Sequence, residues 1–410
     1  MSQSESLISC WVEQLCQHLQ QERYSRCVAR NYPHDARCFL RYLVRRGQAL
    51  QSVSPADVEH YLDSLRRRRD RRVLPASWRR AHRAAIQMLL RLVHGKWPPE
   101  SAPTTTDEIA VHEVVNGYDA WMEELRGLSA STRENGRAEA RWLLGWLRDH
   151  GKSVATLCVA DLDAYIASRG VSMRRSSKMA MVSTLRGVLR YLYGSGRMPW
   201  DLADTIEGPP LYALERIPST IRREDIKRVL KALRCDRSPQ GRRDYAVLML
   251  LSTYGLRAGE ILGLRLSDID WRHERLRIRH AKTGAYSELP LLRGPADALL
   301  DYLKQGRPET TLREVFLRAL APYRPLSSST ALHYIVSRRL QAVGVSLTGK
   351  GGTHVLRHSR AVSLLNSGAP IKVIGDVLGH RSARSTVVYL KLATEDLRAV
   401  ALDLPEGVSP

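Results

Sequence analysis

A chain of 410 residues is too long for one hydrophobic core, so two to four domains are expected. With 43% hydrophobic and 26% charged residues it has the balance of an ordinary globular protein, but its formal net charge of +22 is far outside that norm and calls for a polyanionic partner. No apolar run approaches the ~18 residues that a membrane span requires, which leaves nucleic acid as the stronger reading and sets a membrane aside.

The amino terminus, Met1-Ser-Gln-Ser-Glu-Ser6, lacks the basic start and apolar centre of a signal peptide. Cys10, Cys16, Cys27, Cys38, Cys158 and Cys235 include no C-x-x-C pair, a scatter that suits reduced thiols in a cytoplasmic, nucleoid-associated protein. Residues 1–98 read as a helical domain. Phe39, Leu40, Tyr42 and Leu43 recur at helical spacing, and Val58, Tyr61, Leu62 and Leu65 repeat the pattern. The aperiodic Pro/Ser/Thr stretch from Gly95 to Thr106 marks a linker.

A second helical block, residues 107–205, repeats the first. Ala36, Arg37, Leu40, Leu43, Gly47, Ala56, Asp57, Tyr61 and Ser64 recur without a gap as Ala140, Arg141, Leu144, Leu147, Gly151, Ala160, Asp161, Tyr165 and Ser168. Further on, Ser77, Leu89 and Leu92 align with Ser177, Leu189 and Leu192, so the first copy has the longer connection. That connection holds Arg66, Arg67, Arg68, Arg69, Arg71 and Arg72. Together with Arg79, Arg80, Arg174, Arg175 and Lys178 they are expected to neutralise phosphates, which makes binding fall steeply with salt.

A strap from Glu207 leads into residues 218–410. Helices are predicted over Arg222–Leu233 and, fully buried, over Tyr245–Tyr254. Leu276–Lys282 and Tyr286–Leu291 alternate at period two around Thr283-Gly284-Ala285, a β-hairpin. The expected fold class is therefore mainly α with a small antiparallel β-sheet.

Chemistry concentrates in this half. Tyr254-Gly-Leu-Arg257-Ala-Gly-Glu260 is a sharp turn opening a helix with an arginine at its mouth, suited to a phosphate oxygen, and Glu260 reads as an orienting partner. Lys282 lies at the hairpin tip. Thr353 is a predicted N-cap, and His354, Arg357 and His358 follow at spacings that share one helical face. Gly368 stops that helix, Pro370 opens a second that ends at Gly379, and His380 is left on a turn. A third helix from near Ser382 carries Tyr389. The His354/His358 pair has a zinc-like spacing, but no glutamate follows the first histidine and Arg357 would repel a cation, so no metal and no other cofactor is expected.

The order Arg257, Lys282, His354-x-x-Arg357, Leu378-Gly379-His380 and Tyr389 strongly resembles the tyrosine recombinase (phage integrase) family. The resemblance covers roughly Pro218–Leu404 and fills all six catalytic positions of the family pattern. It implies a catalytic domain over 218–410, preceded by a helical, SAM-like core-binding domain over 107–205. The first copy, residues 1–98, departs from this two-domain plan and is assigned DNA or protein contacts. The resemblance also implies a 3′-phosphotyrosyl intermediate formed without metal or nucleotide. It further implies a C-terminal helix, Thr394–Leu404, docking into a neighbouring protomer of a tetramer on two DNA sites.

Elementary chemistry assigns the same parts. Displacement at a phosphodiester needs a nucleophile, charge neutralisation on the non-bridging oxygens and a proton for the departing oxygen. Arg257 and Arg357 suit the oxygens, Tyr389 the nucleophile and His354 the base. His380 suits a phosphoryl oxygen and Lys282 the departing 5′ oxygen. The expected function is a site-specific recombinase of double-stranded DNA from a mobile element, and the sequence leaves open whether it acts alone or with sibling recombinases or DNA-bending proteins. A type IB topoisomerase-like nicking-closing enzyme and a non-catalytic architectural protein on the same scaffold are the alternatives.

Overall fold

The computed structural model describes residues 3–68, 76–99, 103–212, 219–280, 284–346, 352–379, 386 and 389, with backbone alone for 3–4, 66–68 and 76. Among these residues the chain is mainly helical, with one three-stranded antiparallel sheet. It divides into two compact units, Glu100–Glu215 and the pairing of Met1–Pro99 with Arg216–Pro410.

The first helical block comprises α1 (Gln3–Gln21), α2 (Arg26–Arg45), α3 (Pro55–Arg68) and α4 (Ala76–His94). Ser25 starts α2 by accepting from the Val28 amide at 3.4 Å. The stripe Ala36, Phe39, Leu40 and Leu43 then faces a core built with Leu15, Leu62, Ile86 and Leu89. In the second unit, α5 (Thr106–Glu124) opens with a capping box from Thr105 and Glu108. It is followed by α6 (Ala130–Asp149), α7 (Val159–Gly170) and α8 (Arg175–Gly194), around Leu143, Leu162, Tyr165, Leu185 and Leu189.

The two blocks correspond down to single bonds. Asp57 accepts from the Ser54 amide at 2.9 Å and from Gln48, while Asp161 accepts from the Cys158 amide at 3.2 Å and from Lys152. Ser64 and Ser168 each donate to the carbonyl of the tyrosine three residues earlier, at 2.7 and 2.9 Å. One exchange stands out. Arg23 holds φ +56° where the second copy has Gly127 at φ +55°, a left-handed position that costs a non-glycine residue about 1 kcal/mol. Arg23 also donates to the Glu309 carbonyl at 3.0 Å, and Glu22 lies 3.4 Å from Arg324, so this turn touches the C-terminal half.

That half contains α9 (Arg223–Cys235), α10 (Pro239–Tyr254) and α11 (Ala258–Leu262), then β1 (Ile269–Asp270), β2 (Arg275–Arg279) and β3 (Tyr286–Pro290). After the sheet come α12 (Arg293–Gln305), α13 (Ser329–Gln341), α14 (Thr353–Asn366) and α15 (Ile371–Val377). β2 pairs with both neighbours, and Ile278 faces Ser287 across the hairpin. α10 is the axis of the core. Its Val247, Leu248, Leu250 and Leu251 are buried among residues that include Leu276, Leu299, Leu332 and Leu356. Its C-terminus therefore brings Gly255 and Arg257 against α14.

Thr353 is the first residue of α14 rather than its cap. Gly352 takes that place, since a Cβ there would lie 2.2 Å from the His333 ring. No helix among the described residues is long and apolar enough to cross a membrane.

Candidate active site

The site is assembled where three chain segments meet: the turn after α10, helix α14, and the turn after α15. Arg257 is at the N-cap of α11. Its amide donates to Glu260 Oε2 at 2.7 Å and its Nη1 to Oε1 at 2.9 Å, which folds the turn into a closed ring. Its Nη2 reaches across to the Gly379 carbonyl at 3.0 Å. The side chain remains about a third exposed, so one edge of the guanidinium is open to a ligand.

Arg357 comes from the buried face of α14 and is only 4% exposed. It clamps two carbonyls, Gly255 O at 2.8 Å through Nη1 and Leu378 O at 2.5 Å through Nη2. Among the described residues no carboxylate lies within ion-pair distance of it. Burial, and after it the charge of Arg257, bring its pKa down to about 10. Among the described residues its hydrogen bonds go to carbonyls, with the Glu260 charge as a more distant counterweight, and a phosphate oxygen beside Arg257 would be a direct anionic partner.

Tyr389 is 3% exposed and packs with Ala361, Ile374 and Leu378. Its hydroxyl lies 3.0 Å from His358 Nδ1. Burial raises the phenol's pKa against the pull of Arg357 and Arg257. His358 is pushed down to about 4, first by burial and then by His354 and Arg357. The imidazole is therefore neutral near pH 7, with one ring nitrogen able to take a proton. His354, expected to take the Tyr389 proton, instead stands exposed at the mouth, its ring centroid 6.4 Å from that of His358. Desolvation of its inner edge and the charges of Arg357 and Arg257 lower its pKa. One turn further along α14 the second histidine of the pair meets the phenol.

Glu260 is 4% exposed and accepts from three donors: the Arg257 amide, the Arg257 guanidinium, and His280 Nδ1 at 2.8 Å. Burial alone would raise its pKa, but these donors outweigh burial and hold the carboxyl below its ordinary range. His280 was missed by motif reading. A signal existed: β2 alternates with Leu276 and Ile278 inward, and continuing that period by two places His280 on the core side.

Lys282, His380 and the segment Thr394–Leu404 lie outside the described residues, as do Arg69, Arg71, Arg72 and the side chains of Arg66, Arg67 and Arg68. Among the other basic candidates, Arg79 bridges Asp63 at 2.9 Å and Glu59 at 3.0 Å. Arg80 is exposed. Arg174 is exposed as the N-cap of α8, and Arg175 beside it lies 5.6 Å from the Tyr212 ring. Lys178 runs its stem along Gly170.

Comparison with known proteins is consistent across sequence and shape. Residues 219–396 match the phage integrase family. A putative integrase/recombinase of Sinorhizobium fredii, y4gC, is 53% identical over 189 residues, which is 46% of this chain and 97% of that one. Tyrosine recombinase XerD of Proteus mirabilis is 30% identical over 313 residues, 73% of this chain and 96% of that one. In fold, the chain is similar to the XerH site-specific recombinase in its complex with a palindromic difH substrate, with a TM-score of 0.55, 15% identity, and coverage of 75% of this chain and 92% of that one.

Proposed function

The chain belongs to the phage integrase family and is a tyrosine recombinase, a site-specific enzyme that cuts and rejoins DNA, and from that footing we propose that Tyr389 is the nucleophile and Arg257 and Arg357 the phosphate clamp. The observation that carries the assignment is the buried Tyr389 hydroxyl on His358, beside two guanidiniums of which the deeper has, among the described residues, carbonyl partners only.

In this reading the scissile phosphate enters between Arg257 and Arg357, which bind its non-bridging oxygens. The Tyr389 oxygen forms a bond to phosphorus as the bond to the 5′ oxygen breaks, leaving a 3′-phosphotyrosyl ester and a free 5′ hydroxyl. Lys282 supplies the proton that the 5′ oxygen takes, and His380 bonds a phosphoryl oxygen. His358 receives the phenolic proton. The ester keeps the energy of the phosphodiester, so attack by a new 5′ hydroxyl reverses the step without an outside energy source. His354 stands at the entrance, where a neutral ring can donate to the incoming phosphate.

Residues 1–98, 107–205 and 218–410 are read as three domains, each with its own apolar core among the described residues. The second carries Arg174 and Arg175 at the first turn of α8, where their charge adds to the helix N-terminus in attracting phosphate. Double-stranded DNA with paired recombination sites is the substrate, integration or transposition of a mobile element the outcome, and a tetramer joined through Thr394–Leu404 the assembly. A chain ending at Ala393 should then still bind single sites and fail to join two.

The deciding experiment traps the covalent complex on a nicked suicide substrate. Wild type should give a DNA–protein band that survives denaturant, and Tyr389→Phe none. A band retained by Tyr389→Phe would move the nucleophile elsewhere.

A further inference from the structure

Among the described residues packed around the active site is His280, which no step above uses. It follows directly on β2, and its ring joins three elements. Nδ1 is 2.8 Å from Glu260 Oε1 on α11, Nε2 is 2.7 Å from Ser287 Oγ on β3, and the ring faces the turn after α15. The contact with that turn is close. A Cβ on Gly379 would lie 2.6 Å from His280 Cε1, so the backbone there approaches the imidazole as only a glycine allows, with φ +61°. The carbonyl of the same Gly379 receives Nη2 of Arg257.

Of the two groups that orient the Arg257 guanidinium, the Glu260 carboxylate is therefore hydrogen-bonded to the imidazole, and the backbone of Gly379, which supplies the carbonyl, packs against it. A carboxylate only accepts, so Nδ1 carries a proton and donates to Glu260. Ser287, paired across the hairpin with Ile278, holds the other nitrogen and fixes the ring plane.

We infer that His280 is a positioning residue for the cleavage step, holding Arg257 in the orientation that neutralises the scissile phosphate. It touches neither substrate nor reacting atoms; it acts through Glu260 and Gly379. Partners of this kind matter because an error on the order of 1 Å in a charged group can cost about 100-fold in rate.

The inference rests on the assignment of Arg257 to the phosphate, and the test separates the two. Cleavage is followed under single-turnover conditions on nicked suicide DNA whose scissile group is either the normal phosphodiester or a methylphosphonate. The methylphosphonate has lost one anionic oxygen and so needs less cationic neutralisation. On the phosphodiester, His280→Ala should slow cleavage about 10- to 100-fold, with DNA affinity within about 2-fold of wild type. On the methylphosphonate, the deficit of His280→Ala should shrink to about 3-fold or less, as should that of Arg257→Ala. His280→Gln, whose amide can still donate to Glu260, should recover part of the rate. A thermal melt of each variant reports folding separately.

Wild-type rates in His280→Ala, or a deficit equally large on both substrates while Arg257→Ala is relieved, would overturn the role of His280. So would relief of His280→Ala by a 5′-bridging sulfur leaving group in place of the methylphosphonate, since that would put its action at the departing oxygen. If Arg257→Ala itself cleaves normally, or is not relieved, the assignment of Arg257 fails instead.

Discussion

The Tyr389 hydroxyl is hydrogen-bonded to Nδ1 of His358 across 3.0 Å, inside a pocket that leaves the phenol 3% exposed. Burial and nearby cations push the imidazole down to about 4 while burial pushes the phenol above its ordinary value of 10.0. Moving the proton between them in the free protein is therefore uphill. The phenol is thus protonated in the DNA-free site. In the proposed mechanism its proton leaves as the bond to phosphorus forms, with Arg257 and Arg357 stabilising the charge that develops.

His358 makes stability depend on pH. Its folded pKa lies below the unfolded value near 6.5, so the unfolded chain binds the extra proton first. The contribution is complete above pH 6.5 and is lost as pH falls toward 4, by at most about 3 kcal/mol. In thermal melts between pH 7.5 and 4.5, wild type should lose stability more steeply than His358→Asn, whose amide oxygen can still accept from the phenol. Parallel curves would remove His358 as the titrating group.

Arg357→Lys should fold and bind DNA within a few-fold of wild type yet lose covalent-complex formation by about 100-fold or more. A single ammonium cannot span the Gly255 and Leu378 carbonyls in the planar fork of a guanidinium, nor keep a face for phosphate. Gel-shift affinity and single-turnover cleavage, measured on the same preparation, check both halves of the expectation.

Gly379→Ala should destabilise the chain by about 1–3 kcal/mol and slow cleavage. The new methyl meets the His280 ring and the backbone has φ +61°. Gly368→Ala is the matched control, with φ +79° and open space around the added methyl. In denaturant melts Gly368→Ala should show the backbone cost alone, and its cleavage rate should stay near wild type.

Glu139→Gln should stabilise the second helical unit at pH 7 and above. Glu139 is 3% exposed and accepts from the Tyr165 hydroxyl at 2.7 Å, and burial raises its pKa. A raised carboxyl contributes stability that is complete below its unfolded pKa and lost as pH rises through the folded one. The amide keeps the acceptor without the buried charge, so the gap between variant and wild type should widen with pH in melts from pH 5 to 8. A gap that narrows would mean Arg169, 3.9 Å away, neutralises the carboxylate fully.

Much of this protein is local and is therefore written along the chain. Helical periodicity put Phe39 and Leu43 on one face, spacing set Leu144 and Leu147 in the matching places, and Asp57 and Tyr61 recur as Asp161 and Tyr165. Spacing alone placed His354, Arg357 and His358 on one helix, because a 3.6-residue turn fixes which side chains are neighbours. Spacing also grouped Arg257 with Glu260, since three residues span one turn.

Which of those neighbours meets the phenol was decided elsewhere. Tyr389 finds His358 rather than His354 because α14 lies against α10 and α15 at a particular depth, and depth is a property of packing between segments. Arg357 closes on carbonyls of Gly255 and Leu378, distant along the chain on either side, and backbone carbonyls carry no mark in the residue type. His280 was legible only as an inward-facing strand residue. Its link to Glu260 and Gly379 exists because the sheet, α11 and the turn after α15 converge, and only the folded backbone sets that distance.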